Sequence, residues 1–278
     1  MPASKPARQG IQSVEVGLRL LQSLAASNQA MSLKDLSGAA GMPAAKAHRY
    51  LVSLGRMGLV EQDPATSRYD LGTSALQLGL AALSRLDPMR IALPALERLR
   101  DDIDQTVALS VWGSHGATVV RWLESSHPVT AGLRTGAVLP LTRSATGRAF
   151  AAFLPEPLTA ALAEEEFRQL PARQRAIQRK LFRQTTAVVR QEHIASVAGD
   201  LVTGIDALAA PVFDASGRPV LVIAALGYAE SFDARLDGTA ACALKAATAA
   251  LSEQLGHGKY HHNERLAGSL DAGVRRKQ

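Results

Sequence analysis

The stretch from Ser32 to Gly72 constrains the fold more tightly than any other part of the chain. Ser32, followed three residues on by Asp35, has the form of a capping box and opens a short helix over Leu33–Ala40. Gly41-Met42-Pro43 stops that helix and reopens the chain. Pro43 suits the first turn of the next helix, where its missing N–H would have no partner anyway. That next helix runs from about Ala44 to Met57, and Gly58 closes it. The run LVEQDPATSRYDLG then holds two short extended pieces around Asp63-Pro64-Ala65-Thr66-Ser67, the pattern of a hairpin. Upstream, Ser13 is a candidate N-cap for a helix carrying Val14, Leu18, Leu21 and Leu24 at helical spacing. Three short helices and a hairpin make a winged helix-turn-helix over residues 13–72.

At about 100° per residue, Ala47, Leu51 and Leu54 of the third helix fall on one stripe, with Lys46, Arg49, Ser53 and Arg56 roughly opposite. One stripe can pack on the first two helices while the other meets a polyanion, as a major-groove reader requires. Arg49 suits guanine or phosphate, His48 reaches either, and Ala44 and Ala45 offer small apolar contacts such as thymine methyls. Ser32 and Pro43, at the helix starts, and Arg68, at the base of the wing, complete the candidate DNA-binding set. A basic stripe is also an ordinary solvated helix face; the short helix, turn and wing around this one favour nucleic acid. Charge is distributed accordingly. Residues 1–58 hold seven cations against Glu15 and Asp35, and residues 257–278 hold five against Glu264 and Asp271, so within a net +6 the long middle is close to neutral.

With 278 residues, the chain suits one large domain or two ordinary ones, and 47% hydrophobic against 20% charged residues excludes wholesale disorder. Residues 1–12 lack periodicity and are expected to be a disordered tail, and 257–278 a basic flexible one. No apolar run reaches the roughly 18–20 residues that span a bilayer, and no hydrophobic signal core opens the sequence. A soluble, cytoplasmic protein with no membrane partner is the expectation. Residues 73–86 read as a connecting helix, within a linker over 73–87, with a polar break at Asp87-Pro88. Beyond it, helices are expected near 89–104, 145–154, 157–168, 172–192 and 236–255. Strands are expected near 106–113, 116–124, 128–134, 207–213 and 219–227. Antiparallel hairpins interleaved with helices make residues 88–256 an α+β sensor-type domain.

The run SLKDLSGAAGMPAAKAHRYLVSLGRMGLVEQDPATSRYDLG resembles the DNA-binding domain of IclR-type transcriptional regulators. The cues are the turn before Pro43, His48-Arg49, Leu51 through Leu54, Gly58-Leu59-Val60 and Tyr69-Asp70-Leu71-Gly72. LPLTRSATGRAFAAFLP (139–155) resembles the family's strand-to-helix element, GIDALAAPVFDASG (204–217) its hairpin, and Leu255-Gly256 its final helix end. The resemblance covers roughly residues 13–256. It implies a ligand-responsive repressor or activator, a homodimer or homotetramer on a double-stranded DNA operator, with a GAF-like C-terminal domain that binds a small organic acid.

Ser144-Ala145-Thr146-Gly147 stands just before an apolar helix, whose free N–H groups and dipole suit a carboxylate. The resemblance puts the effector here, walled by Leu139, Ala145, Thr146, Gly147, Val197, Ala207, Ala224 and Leu226. Spacing alone also allows Ala207, Ala224 and Leu226 to be plain core on inward strand faces. Members that bind small, very polar acids tend to carry Cys, Asp or Ser where this chain has Ala207, Val197, Ala224 and Leu226. Apolar replacements remove hydrogen-bond partners for a hydroxy- or oxo-acid, so the expected effector is an aromatic or other hydrophobic carboxylate. Thr146 would hold its acid end; Arg134 could reach it or be an exposed strand arginine. Trp112 and Trp122 could stack on the ligand or be core. Arg148 stands where the family has a helix-opening lysine.

Nothing in the sequence assembles a catalytic or metal centre. G-x-S-x-G, P-loop and H-E-x-x-H motifs are lacking, and no cofactor is implied. Cys242 lies in an Ala-rich helix and reads as an inert buried thiol, which with no second cysteine excludes an internal disulfide. His257, His261 and His262 have metal-compatible spacing but stand in a polar basic tail, and Glu164-Glu165-Glu166 reads as a solvated helix face. The competing functional reading is a small-molecule hydrolase with an appended DNA-binding head. A third is nonspecific nucleic-acid binding by the basic head and tail.

Overall fold

The computed structural model describes residues 10–129 and 132–258. The tail expected over 257–278 falls almost wholly outside them, and most of the tail expected over 1–12 does too. The described chain divides into two compact units at Leu86/Asp87.

The first unit contains α1 (Gln12–Ala25), α2 (Leu33–Ala39), α3 (Ala44–Arg56), the strands β1 (Val60–Gln62) and β2 (Tyr69–Leu71), and α4 (Thr73–Ser84). Its core joins Leu20 and Leu24 of α1, Leu36 of α2, Ala47 and Leu51 of α3, and Val60 and Tyr69 of the hairpin. Ser32 caps α2 as expected: its hydroxyl accepts from the Asp35 N–H at 3.2 Å and donates to the Asp35 carboxylate at 2.7 Å. Pro43 stands at the N-cap of α3, one residue before its first turn. The helix closes in a Schellman pattern, with Gly58 N–H on the Gly55 carbonyl and Leu59 N–H on that of Leu54. Gly58 takes φ +68°, the left-handed geometry that favours glycine.

The expected start and inner face of α1 are corrected. Ile11 is its N-cap residue, Ser13 lies inside the helix, and Val14 and Leu18 are exposed while Val16, Leu20 and Leu24 are buried. The sequence carries two apolar stripes here, and it is Leu20 and Leu24 that join Leu36 and Leu51 in the core. A Cβ on Gly17 would lie 3.4 Å from the Tyr50 ring of α3, an ordinary contact, so the two helices meet at this position.

The second unit contains α5 (Pro88–Ile103), β3 (Thr106–Gly113), β4 (Gly116–Leu123), β5 (Val138–Leu139), α6 (Ala145–Phe153), α7 (Glu156–Arg168), α8 (Ala172–Glu192), β6 (Ala195–Ala198), β7 (Ile205–Phe213), β8 (Pro219–Tyr228) and α9 (Thr239–Gln254). The strands form one antiparallel sheet in the order β5-β4-β3-β8-β7-β6. Side chains alternate between its faces. Leu96, Leu99, Leu244 and Leu251 of α5 and α9 cover one face over Val107, Leu109, Leu208 and Ile223. On the other, Ala145, Ala149 and Phe150 of α6 cover Ala108, Val119, Ala209, Val222 and Ala224. The α+β class and the winged helix-turn-helix are both borne out. The strand expected over 128–134 is not: the described residues there are irregular, and β5 forms ten residues past Pro128. Pro128 cannot donate to a ladder, and Gly132 and Gly136 adopt positive φ, so an extended run breaks there. The short β6, which the sequence reading lacks, forms the opposite edge.

Candidate functional site

The expected DNA face is one surface of the first unit. Pro43, Ala44, Ala45, Lys46, His48, Arg49, Ser53 and Arg56 are all exposed on α3, opposite the buried Ala47 and Leu51. Val52, also exposed, shares that surface with Ala45 at i, i+7 and was missed for want of charge. Ser32 is spent in capping α2. Arg68 is partly engaged as well, its Nη1 donating to the Ala30 carbonyl at 2.9 Å, which ties the wing to the segment before α2. At the wing tip, the Thr66 hydroxyl and the Ala65 N–H donate to Asp63 and hold its carboxyl below the ordinary carboxylate range.

Seven of the eight expected effector residues line one cavity of about 50 Å³: Leu139, Ala145, Thr146, Val197, Ala207, Ala224 and Leu226. Gly147 does not. A Cβ there would run into the Pro140 carbonyl oxygen and lie 2.6 Å from Leu141 Cα, so its role is close packing of α6 on the 140–141 backbone. Its N–H is also taken, by the Ser144 hydroxyl at 2.9 Å, and that hydroxyl donates to Pro140. The N–H groups of Ala145 and Thr146 have no acceptor among the described residues, and neither does the Thr146 hydroxyl. These donors open on a wall of alanine, valine and leucine. A helix start with unspent N–H groups is a place where a carboxylate can be held.

Sequence reasoning missed Ala108, Val119, Leu133, Leu201, Val202 and Ile205 on this wall, which Ser144 of the identified helix start also lines. Ala108 and Val119 carry a signal in alternation with the identified strands; Leu201 and Val202 come from an irregular turn and carry none. Trp122 lines the cavity, whereas Trp112 packs on Phe150 at 5.5 Å and faces another hollow. Arg134 is exposed, outside any strand, and does not line the cavity.

The second hollow, about 620 Å³, is larger and more open, but its charged groups are committed. Glu166 accepts from the N–H groups of Leu141 and Thr142 at 2.6 and 2.8 Å and from the Thr142 hydroxyl at 2.5 Å. Arg148 donates to the Thr142 carbonyl and pairs with Asp200, and Arg143 donates to the Asp200 carbonyl. The solvated reading of Glu164–Glu166 is thereby corrected at Glu166, while Glu164 and Glu165 pair with Arg179 and Arg168. Cys242 is exposed rather than buried, because Ala241, Leu244 and Thr248 present the inner face of α9. His257 is half-buried with its ring 4.9 Å from that of Phe213; His261 and His262 lie outside the described residues. Among the described residues no group of histidine, cysteine and carboxylate side chains could hold a metal ion, and no helix is long and apolar enough to cross a membrane.

Comparison with known proteins gives two family-level matches. Residues 13–64 match the IclR helix-turn-helix domain, and residues 80–253 match the bacterial transcriptional regulator IclR C-terminal domain. The transcriptional repressor IclR of Escherichia coli (strain K12) is 26% identical over 248 residues, 88% of this chain and 90% of that protein. The crystal structure of Pseudomonas aeruginosa HmgR is 41% identical and covers 91% of this chain and 100% of its own, with a TM-score of 0.81. An IclR homologue from Microbacterium hydrocarbonoxydans, solved with 4-hydroxybenzoate, shares the fold at 19% identity and a TM-score of 0.51, covering 87% of this chain and 98% of its own.

Proposed function

The chain belongs to the IclR family of bacterial ligand-responsive DNA-binding regulators, and we propose that its effector is an aromatic or other hydrophobic carboxylate bound in the α6 cavity. The observation that carries this reading is the pairing of unspent Ala145 and Thr146 donors with a wall built from Ala108, Ala207, Ala224 and Leu226. A polar aliphatic acid would find no hydrogen-bond partner on that wall, whereas an aromatic body gains by burial there. The homologue solved with 4-hydroxybenzoate supports the same class of ligand. The cavity as it stands has room for a few water molecules, so an aromatic acid enters by displacing the Leu201–Val202 turn or Leu133.

In this proposal residues 13–72 bind DNA, 73–87 link, and 88–256 bind effector. Lys46, His48, Arg49, Ser53 and Arg56 enter the major groove with Ala44 and Ala45, while Pro43 and Ser32 set the helix starts and Arg68 steadies the wing. The protein acts as a homodimer or homotetramer, because paired half-sites require paired winged domains. The exposed Leu76, Leu80 and Leu83 of α4 are the surface on which two copies join. Relatives are named as regulators rather than enzymes, and a role on chromosomal DNA implies the cytoplasm. Effector binding shifts operator affinity, and operator binding shifts effector affinity by the same factor.

Fluorescence anisotropy tests the reading. Labelled DNA from upstream of the gene and scrambled DNA are titrated at two salt concentrations, with and without a panel of aromatic and aliphatic carboxylates. A preference for the upstream DNA of about a thousandfold, altered by an aromatic acid, is expected. Equal, steeply salt-dependent binding to both DNAs would overturn specific regulation. Consumption of the acid would favour an enzyme, and a response confined to small hydroxy-acids would overturn the effector class.

A further inference from the structure

Asp104 closes α5 in a place that suits it poorly. It takes φ +45° and ψ +45°, the left-handed geometry that favours glycine, and it sets a carboxylate at a helix C-terminus, where the dipole disfavours negative charge. What it gains lies 22 residues along the chain. Its carboxylate accepts from the Ser126 N–H at 3.1 Å and from the Ser126 hydroxyl at 2.7 and 2.8 Å, with His127 Nδ1 3.5 Å away. These bonds hold its carboxyl below the ordinary carboxylate range, the Ser126 hydroxyl contributing most. Ser125 binds the same turn together: its hydroxyl donates to the His127 carbonyl at 3.0 Å and accepts from the His127 N–H at 3.2 Å.

The turn held in this way backs the α6 cavity. It leaves β4 at Leu123 and runs to Val129, which is buried with Ile205 and Leu226, and Trp122, Val202 and Ala207 pack against that group. All five of those neighbours line the cavity, so Val129 forms a layer behind its wall. By contrast, α5 packs on the other face of the sheet, where Leu96 and Leu99 meet Val107 and Leu109. It is capped at its start as well, with Asp87 accepting from the N–H groups of Met89 and Arg90 at 3.0 and 3.2 Å, directly where the proposed linker ends. Asp104 therefore ties together two parts that the sheet keeps apart, the backing of the cavity and the helix that continues the linker. The tie is soft, because the Asp104 side chain is 56% exposed and water competes for it, and a coupling contact has to be breakable.

We infer that Asp104 is the positioning residue through which occupancy of the α6 cavity reaches α5. A ligand that displaces Val202 disturbs Val129, Val129 draws the 124–127 turn away from Asp104, and α5 loses the tie at its C-terminal end. The inference rests on the reading of the α6 cavity as the effector site and adds the route by which that site is sensed.

Asp104→Gly is the informative variant, because glycine satisfies the left-handed backbone and removes only the carboxylate. In amide exchange on the full-length protein without ligand, residues 124–129 are expected to exchange about tenfold faster than in the wild type, with α9 unchanged. Asp104→Asn, which keeps an acceptor without the charge, is expected to lie between the two. The carboxylate panel is then titrated by calorimetry, and its effect on binding to the upstream DNA is read by anisotropy. An acid that shifts wild-type DNA affinity about fivefold or more is expected to bind Asp104→Gly still, yet to shift its DNA affinity less than about twofold. Unaltered exchange, or a shift as large as that of the wild type, would overturn the role of Asp104. An acid that binds the wild type without shifting its DNA affinity would overturn the coupling and leave the effector site standing. Binding of no acid at all would overturn both.

Discussion

The Arg148 guanidinium holds the Asp200 carboxylate, with Nη2 2.7 Å from Oδ2, while its Nε donates to the Thr142 carbonyl at 2.9 Å. One nearly buried cation thus ties the first turns of α6 to the turn that sets Leu201 and Val202 against the cavity. Asp200→Ala leaves that cation without its counter-charge. Because the Asp200 side chain is 42% exposed and solvent screens the pair, the expected loss is about 1–2 kcal/mol rather than that of a fully buried pair. Urea denaturation reads the loss, and acid binding should weaken with it. Unchanged stability would show that water replaces the carboxylate without cost.

The basic face of α3 should divide into base and phosphate readers. Arg49→Ala is expected to cost about 1–3 kcal/mol on the preferred operator and to relax specificity at one position. Lys46→Ala is expected to weaken all sequences alike and lower the salt slope by about one. Anisotropy titrations at several salt concentrations separate the two, and identical behaviour of the variants would remove the distinction.

Thr146 and Gly147 are adjacent but should fail differently. Gly147→Ala forces α6 away from Pro140 and Leu141, and a loss of about 2–3 kcal/mol in thermal unfolding is expected. Thr146→Val keeps the shape and is expected to leave the melting temperature nearly unchanged while acid affinity falls about tenfold. A Thr146→Val protein that binds acid normally would remove the hydroxyl from the site.

On α4, Leu76, Leu80 and Leu83 recur at i, i+4 and i+7, and each is about half exposed or more. If two copies join there as proposed, replacing all three with glutamine is expected to leave a monomer in sedimentation velocity while helix content is retained. A triple variant that sediments as the wild type does would move the interface elsewhere.

At the wing tip, Asp63 has a depressed carboxyl pKa, so its contribution is present above the unfolded value of 3.8 and lost as pH falls through the lower folded value. Amide exchange at Ala65 should accelerate below about pH 3.8 in the wild type, and Asp63→Asn should remove that step. An Ala65 amide indifferent to pH in the wild type would show that the turn does not depend on the charge.

Much of this was legible because local rules and the tertiary structure agree. Ser32 with Asp35, Gly58 and the 63–67 turn each specify one backbone geometry, so the winged fold can be read directly from them. The family resemblance picked out Val197, Ala207, Ala224 and Leu226, which strand pairing sets on one side of the sheet. Misreadings arose where two local solutions were equally good and tertiary packing decided, as when Val16 and Leu20 rather than Val14 and Leu18 were buried on α1. Glu166 gave no sign of its role, because its partners are backbone N–H groups 24 and 25 residues away.

The alanines at 108, 207 and 224, which line the α6 cavity, have a consequence for how such a receptor diversifies. The strands are joined through main-chain groups, which are indifferent to what hangs from each Cα. Adding a methyl or a hydroxyl at one alanine recuts the mould while the ladder beneath stays as it was. Chemical taste and mechanical integrity are thereby written in separate parts of the same six strands, and either can drift without dragging the other along.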